Sequence, residues 1–316
     1  MPLAGSMPTP KASAPIAVVG DALVEELREK RRDPRERLGG AALRVACDLS
    51  ALGSKAVLAA AIGADGDGTS IRRLLREHDV ELLPTVDPDR GTGRQIIERR
   101  RRRDRLSFSE DAAARRIRFD LVQEAAIARA PIVVVAGFPF DDRKQQRRLL
   151  AAVAQPQNRL VLDANPREGL IADREAYRAN LERHASSAFL VHLSSSDAEL
   201  LFEAPIDEAT SHLLDLGARH VLATEGSSGS RWVTRDGIDV HVPIRELPGE
   251  IVDLSGAGDA VTAVAADVLA RFGGPGDEDE ARIVLERAMA LAARVIRRDD
   301  GILEEADLDG ALPTLD

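Results

Sequence analysis

The chain has 316 residues and a net charge of −10 at pH 7, which argues against nucleic acid as its main partner, because phosphate binding needs a basic face. Hydrophobic residues make up 44% of it and aromatic residues only 3%, so the core of one large domain must come from Ala, Val, Leu and Ile. The single cysteine, Cys47, excludes an intramolecular disulfide and is typical of the reducing cytoplasm. No apolar run has the length of a membrane span.

The predicted elements begin after a polar, proline-containing segment, residues 1–14, that lacks the apolar stretch of a signal peptide. We expect a disordered tail there and one domain over residues 15–316. Apolar runs predict strands at 16–19, 57–62, 132–136, 160–163, 189–193 and 220–224, and a late antiparallel hairpin at 232–233 and 238–242. Helical periodicity predicts helices at 41–52, 70–77, 121–128, 143–153, 197–202, 210–216, 257–272 and 281–297. This alternation predicts an α/β fold, with a mostly parallel sheet covered by helices on both faces.

Two charged segments, residues 25–38 and 91–110, have too few apolar residues to lie in that core. Both are typical of strands in a projecting sheet or of loops over a site. The second contains an arginine run at 99–103, flanked by Glu98 and Asp104 and without interleaved aromatic residues. A solvated strand face is therefore favoured over a nucleic-acid patch.

The segment from Asp253 to Asp259 connects an extended stretch to the predicted 257–272 helix. Its Gly256-Ala257-Gly258 turn lies where unpaired N–H groups and the helix dipole favour an anion, and glycine lets a phosphate approach the backbone. We expect Asp259, in the first turn, to stay ionised and to accept a proton from a hydroxyl that attacks a phosphoryl group. The alternative is a Ser-capped helix in which Asp259 only serves the dipole; the complete heptapeptide favours the anion site.

Five motifs occur in a familiar order: Gly39-Gly40, residues 63–68, residues 163–167, residues 224–226 and residues 253–259. With them the chain resembles the PfkB/ribokinase family of carbohydrate kinases over about residues 16–300, with traits of its fructokinase-like, ketodeoxygluconate-kinase-like and heptose-phosphate-kinase-like branches. The resemblance implies a ribokinase-like, doubly wound α/β domain with a small β lid at about 25–38 and 91–110. It also implies ATP, Mg²⁺ and a small sugar-derived substrate, a cytoplasmic location, no nucleic-acid or membrane partner, and a homodimer formed through the lid.

The same resemblance implies roles for individual residues. Asp259 is the expected base, and Gly256, Ala257 and Gly258 form the expected anion hole. The implied substrate-binding residues are Asp21, Glu25, Gly39, Gly40, Arg44, Asn165 and Arg167. The implied nucleotide-binding residues are Ser194, Asp197, Thr224, Gly226, Asp253, Ser255 and Met289, and Asp197 is also expected to hold the metal through water.

Several of these positions depart from the family pattern. Arg44 and Met289 stand where members often have Asn, and Glu25 stands where members often have Asp. Arg44 is either a surface helix residue or a contact to an anionic acceptor such as a sugar phosphate or sugar acid. Ser194 and Asp197 replace a longer Asn and Glu, a change that water-mediated contacts tolerate. The departures leave three functions open: a carbohydrate kinase, a nucleoside kinase, or a ligand-binding protein of kinase fold with weak or lapsed catalysis.

Overall fold

A computed structural model of the chain describes residues 14–30, 32–100, 104–155 and 157–308. The strands are β1 (Ile16–Gly20), β2 (Leu23–Arg28), β3 (Arg35–Gly39), β4 (Ala56–Ala61), β5 (Glu81–Thr85), β6 (Arg94–Glu98), β7 (Arg105–Phe108), β8 (Ile132–Ala136), β9 (Arg159–Asp163), β10 (Leu190–Ser194), β11 (His220–Thr224), β12 (Ser230–Thr234) and β13 (Asp239–Val242). The helices are α1 (Ala41–Ala51), α2 (Gly66–Glu77), α3 (Glu110–Ala113), α4 (Leu121–Arg129), α5 (Arg143–Ala152), α6 (Arg174–Ala185), α7 (Ser195–Phe202), α8 (Ile206–Leu216), α9 (Ala257–Phe272) and α10 (Glu278–Val295).

The main sheet has the strand order β13-β12-β11-β10-β9-β8-β1-β4-β5. Neighbours from β11 to β5 are parallel, and β12 and β13 pair antiparallel at the far edge, as the predicted hairpin requires. The chain builds outwards from β1 in one direction through β4 and β5, and then in the other direction from β8. The order therefore reverses between β1 and β8, and their carboxyl ends flank the crevice in which doubly wound folds bind ligands.

Helices cover both faces of this sheet, which confirms the predicted doubly wound α/β architecture. Alternate residues of β8 separate the two cores: Val134 packs with residues of α1, α9 and α10, and Val133 and Val135 pack with residues of α5, α6 and α8. Cys47 is fully buried in the first core, as expected.

A second sheet, with the order β3-β2-β6-β7, forms from the two charged segments. They are therefore strands of a separate sheet, called here the small sheet, and not loops. Strand β2 lies antiparallel to β3 and parallel to β6. One face of the small sheet is buried, and it includes the charged side chain of Glu25, which is 1% exposed.

The predicted elements are largely confirmed. Helix α8 begins at Ile206 instead of residue 210, the short helix α3 was not predicted, and three further differences have a physical reason. Helix α2 begins at Gly66 instead of residue 70, because Asp65 caps it by accepting a hydrogen bond from Gly68 N–H. The pattern of apolar residues did not predict β5, an edge strand that contains Pro84. It also missed α6, whose charged sequence masks its buried face. Most of the predicted tail, residues 1–13, lies outside the described residues.

In the described parts of the chain, no helix is both long and apolar enough to cross a membrane.

Candidate active site

The N-terminus of α9 has the geometry expected of an anion site. Gly256 precedes the helix with a φ of 89°, and a Cβ there would lie 2.2 Å from the Gly301 carbonyl oxygen. A Cβ on Gly258 would meet only the His192 ring, at 3.3 Å. Ser255 does not cap the helix, since its N–H and hydroxyl both donate to Asp253 Oδ1. The turn is therefore fixed by glycine geometry. The N–H group of Ala257 donates to the Leu254 carbonyl oxygen at 3.4 Å, so the N–H groups left to face an anion at this helix end are those of its neighbours.

Asp259 lies in the first turn of α9, as predicted, but its ionisation differs from the expectation. The residue is 6% exposed, and burial raises the pKa of its carboxyl to about 7 against the opposing charge of Arg44. Desolvation outweighs the favourable charges around Asp259 and acts against the fully ionised state that the sequence predicts. A carboxyl group with this pKa both holds and releases a proton near neutral pH.

Arg44 is buried beside Asp259, so the interpretation of Arg44 as a surface residue is wrong. Its side chain is 1% exposed; one amino group lies 2.6 Å from Glu25 Oε2 and the other 3.7 Å from Asp259 Oδ2. Burial alone would raise the pKa of Glu25, but the charges of Arg44 and then Arg37 lower it to about 2. Arg44 and Glu25, two of the departures from the family pattern, thus form one ion pair. The charge of Arg44 is compensated within the protein, so it gives no reason to expect an anionic acceptor at this position.

Asp253 connects the small sheet to the turn before α9. Its Oδ2 atom lies 2.7 Å from Nη2 of Arg37 on β3 and 2.7 Å from Nη2 of Arg99, which follows β6. Burial would raise the pKa of Asp253, but Arg37 and Arg99 lower it to about 2. Arg99 is therefore an ion-pair partner of the core motif and not part of a solvated face; residues 101–103 of that run lie outside the described chain.

The remaining predicted substrate residues also converge here. Asp21 follows β1, and its Oδ1 accepts a hydrogen bond from Ala42 N–H in the first turn of α1. Gly40 has a φ of 107° and packs on the Asp21 backbone, while Gly39 packs on the Glu25–Arg44 pair. Asn165 and Arg167 follow β9. The charge of Arg167 lowers the pKa of both Glu25 and Asp259.

Four of the predicted nucleotide-binding residues lie at or just after the carboxyl ends of β10 and β11, namely Ser194, Asp197, Thr224 and Gly226; Asp253 and Ser255 precede α9, and Met289 is on α10. Ser194 and Asp197 form a reciprocal capping box: Asp197 Oδ2 accepts from Ser194 N–H, and Ser194 Oγ accepts from Asp197 N–H. Gly226 has open space around its Cα, with no atom within 4 Å of an added Cβ. Met289 is buried among core residues of α10 and is 7% exposed. These positions share an edge of the sheet with α9, apart from Met289.

A histidine that the sequence analysis did not single out, His192, connects the ends of β9 and β11 at this site. Nδ1 of His192 lies 3.1 Å from Asp163 Oδ1 and 2.9 Å from the Thr262 hydroxyl, and Nε2 lies 3.2 Å from the Thr224 hydroxyl. Burial would lower the pKa of His192, but the Asp163 carboxylate raises it. The only sequence signal was a polar residue inside the apolar strand that precedes Ser194. Arg37 and Arg99 were missed as site residues for a related reason, since nothing in the sequence pairs them with Asp253.

The residues at this edge fit a nucleoside triphosphate. The α9 N-terminus offers unpaired N–H groups, Gly258 leaves room in front of them, and Gly226 leaves open space at the end of β11. No group of three or more His, Cys, Asp or Glu side chains converges on one point among the described residues. A magnesium ion held mainly by phosphates and water does not need such a cluster of protein ligands.

Comparisons with known proteins identify the family. The model of the family described as pfkB family carbohydrate kinase matches residues 13–306. The chain is 27% identical over 312 residues to the bifunctional protein HldE of Bradyrhizobium sp. (strain ORS 278), covering 95% of the chain and 58% of that protein. It is 23% identical over 255 residues to an ATP-dependent 6-phosphofructokinase of Thermoanaerobacterium thermosaccharolyticum, covering 78% of each.

Solved structures share the fold. The fructokinase of Vibrio cholerae O395, crystallised with fructose, ADP and calcium, superposes with a TM-score of 0.81 at 19% identity, covering 96% of this chain and 100% of that one. At this identity the superposition establishes the ribokinase-like fold alone.

Proposed function

The chain belongs to the pfkB family of carbohydrate kinases, and from this premise we propose that it transfers the γ-phosphoryl group of ATP to a hydroxyl of a sugar or sugar-derived acceptor. One observation carries the proposal. Asp259 lies in the first turn of α9, beside the Gly256–Gly258 turn, with a pKa of about 7. A proton acceptor and an anion site thus stand side by side at a helix N-terminus, which is the pairing that phosphoryl transfer to a hydroxyl needs.

In the proposed reaction the oxygen of the acceptor hydroxyl attacks the γ-phosphorus. Asp259 takes the proton of that hydroxyl. The bond from the γ-phosphorus to the β-phosphate bridging oxygen breaks, and ADP leaves with the electron pair. N–H groups of Gly256, Ala257 and Gly258 stabilise the charge that accumulates on the transferred group. Magnesium, when bound to the phosphates, would supply additional charge neutralisation.

The environment of Asp259 supports its role as base. Arg44 opposes the effect of burial on the pKa of Asp259. The pKa therefore stays near neutral pH, and the carboxyl is not held permanently in its protonated form. Efficiency of a general base is greatest when its pKa lies near the working pH.

We propose that the small sheet is the lid of this site. Asp253, at the start of the α9 motif, pairs with Arg37 and Arg99 of that sheet, so the phosphate end of the site and the small sheet are held together. Glu25 of β2 reaches the same place through Arg44. A homodimer formed through the lid and a cytoplasmic location remain predictions.

A ligand-binding protein with lapsed catalysis is the second candidate. It is favoured by the Glu25–Arg44 pair, which occupies the space beside the base where family members often have Asp and Asn. The chain spans 58% of the length of the HldE relative, and that protein's name gives no acceptor for this one.

An ATP-consumption screen tests the proposal. Purified protein with ATP and Mg²⁺ is assayed for ADP release against neutral sugars, sugar phosphates, sugar acids and nucleosides. We expect release that depends on one acceptor class and yields a phosphorylated product. Tight acceptor binding without ADP release supports the second candidate instead.

A further inference from the structure

A cavity of about 480 Å³ opens at the carboxyl ends of β1, β4, β5 and β8, and none of the residues placed above at the phosphate end lines it. Asp21 and Ala22 follow β1, Ala61 and Ile62 end β4, and Thr85 ends β5; all line this cavity. Because the strand order reverses between β1 and β8, the cavity lies at the topological switch point, where doubly wound folds bind their ligands.

The cavity wall is cationic although the chain as a whole carries a charge of −10. Four aspartates line it, against six cationic side chains: Arg90, Arg115, Arg116, Arg118, Lys144 and Arg148. Lys144 and Arg148 are on α5, and both are exposed. A positive wall in an acidic protein favours an anionic ligand over a neutral one.

Arg115 is half-buried, whereas the other five cationic side chains are exposed. Its guanidinium donates to the Gly137 carbonyl at 3.2 and 3.3 Å and to the Ala112 carbonyl at 2.9 Å, which uses three of its five N–H groups. No carboxylate of the described residues forms an ion pair with it. Burial and the nearby charges of Arg116 and Arg167 lower its pKa, opposed by Asp21. A partly desolvated guanidinium with free donors is a binding group for phosphate or carboxylate.

Asp21 supplies the complementary polar group. It is 2% exposed, and its Oδ1 is occupied by Ala42 N–H. Its Oδ2 atom is buried without a hydrogen-bond partner. Such an orphaned acceptor is costly unless a ligand donates to it, and a sugar hydroxyl is a suitable donor.

The cavity and the base are neighbours. Asp21 connects them: Ala42 N–H in the first turn of α1 donates to its Oδ1, and Arg44 on the same helix lies 3.7 Å from Asp259 Oδ2. On its other side, a Cβ on Gly137 would lie 2.3 Å from Asp21 Oδ1, and the Gly137 carbonyl accepts from Arg115. An acceptor whose hydroxyl lies at Asp259 therefore needs space for its body along the same edge of the sheet. The cavity beyond Asp21 provides that space.

We propose, building on the kinase function above, that this cavity takes the anionic end of the acceptor. Arg115 binds its phosphate or carboxylate group, Lys144 and Arg148 attract it from the rim, and Asp21 accepts a hydrogen bond from one of its hydroxyls. The acceptor class is thus a sugar phosphate or a sugar acid. The cation responsible for this selectivity is Arg115 and not Arg44, whose charge Glu25 already compensates.

Matched acceptor pairs and matched variants test this. The pairs are fructose with fructose 6-phosphate, ribose with ribose 5-phosphate, and glucose with gluconate, so that phosphate and carboxylate are distinguished. The variants are Arg115→Gln, the charge-preserving Arg115→Lys, and the rim double variant Lys144→Gln/Arg148→Gln. Arg147→Gln, an exposed residue of the same helix that does not line the cavity, is the control.

We expect a lower KM for the anionic member of a pair. Arg115→Gln should raise that KM by roughly tenfold or more, since it removes a charge-assisted contact, and should leave kcat and the neutral member nearly unchanged. Arg115→Lys should retain part of the preference. The rim variant, which changes only exposed side chains, should raise the KM about two- to threefold as expected for screened charges. Preference for the neutral member, with all variants equal to Arg147→Gln, would overturn the proposal while leaving the kinase function intact.

Calorimetric titration with inorganic phosphate decides the matter if no acceptor is turned over. It is done with a nonhydrolysable ATP analogue present, to fill the α9 site. Phosphate binding that weakens in Arg115→Gln and in the rim variant, but not in Arg147→Gln, supports the cavity site even if the kinase function fails. Absent binding, or binding that none of the variants changes, contradicts it.

Discussion

Asp259 owes its chemistry to burial, which raises the pKa of its carboxyl to about 7. The sign of the resulting pH dependence follows directly. Below that pKa the carboxyl is protonated in the folded protein and cannot accept a proton from a hydroxyl; above it the carboxylate can.

We therefore predict that kcat/KM rises with pH through about 7 and falls about tenfold per pH unit well below it. The measurement is the pH profile between about pH 5 and 9 with a verified acceptor, with circular dichroism at each pH to check that the fold is intact. A profile that is flat across neutrality would show that Asp259 is not the group whose ionisation limits the reaction.

The Glu25–Arg44 pair is the second residue-scale feature, and its partners depend on each other. A buried charged group that loses a hydrogen-bonding partner is destabilised, whereas exposed pairs contribute little. Glu25 Oε2 also lies 2.7 Å from Arg37 Nε, so without Arg44 it keeps one of its two partners. We predict that Arg44→Met destabilises the protein by about 1–3 kcal/mol. The measurement is denaturant unfolding.

The control for that prediction is Arg73→Met on α2. Arg73 faces Glu77 at 3.9 Å with both side chains more than half exposed, so its loss should be close to neutral. Equal unfolding midpoints for the Arg44 and Arg73 variants would contradict the account of the buried pair.

These residues also show what a sequence can predict about a site. The positions of Asp21, Glu25, Arg44 and Asp259 came from motifs, and the structure brings them together. The ion pairing of Glu25 with Arg44 could not be predicted, because the residues are 19 positions apart and only the folded arrangement of β2 and α1 makes them neighbours. The raised pKa of Asp259 depends on burial by the whole fold, which no local pattern encodes.

At the scale of elements, the N-terminus of α9 separates two roles of glycine. At Gly256 the protein's own backbone excludes a side chain: the φ is 89° and a Cβ would clash with the Gly301 carbonyl oxygen. At Gly258 the nearest obstacle to a Cβ is the His192 ring at 3.3 Å, so a methyl group needs only a small adjustment and mainly crowds whatever binds in front of the turn.

We predict that Gly256→Ala lowers stability by more than about 1 kcal/mol through strain. Gly258→Ala should keep near-wild-type stability but weaken ATP binding by roughly tenfold or more, since a phosphate could no longer approach the backbone closely. Thermal unfolding and ATP titration of the two variants make the comparison. If Gly258→Ala binds ATP like wild type, the phosphates do not lie at this turn.

Elements with clear hydrophobic patterns were predictable, and marginal ones were not. The buried strands β1, β8 and β11 and the helix α9 were predicted nearly to the residue, because continuous apolar runs and strong periodicity leave few alternatives. Edge strand β5 and the charged helix α6 were missed, because tertiary packing and not local pattern stabilises them.

For the whole molecule, alternation of strands and helices predicted the class of fold but not the order of strands. The reversal between β1 and β8 is a property of the folded chain, and the cationic cavity beside it has no signal in the sequence. Its arginines are spread over residues 90–148, and no motif links them.

The central claim is that Asp259 is the base of an ATP-dependent phosphotransferase, and one comparison tests it most directly. ADP release and product formation are measured for wild type and Asp259→Asn with the best acceptor from the screen, alongside ATP affinity and thermal unfolding of both proteins. The account predicts that turnover falls by about 10²–10⁴-fold, with unfolding temperature and ATP affinity near those of wild type. An Asp259→Asn variant that folds, binds ATP and turns over the acceptor at nearly the wild-type rate would contradict it.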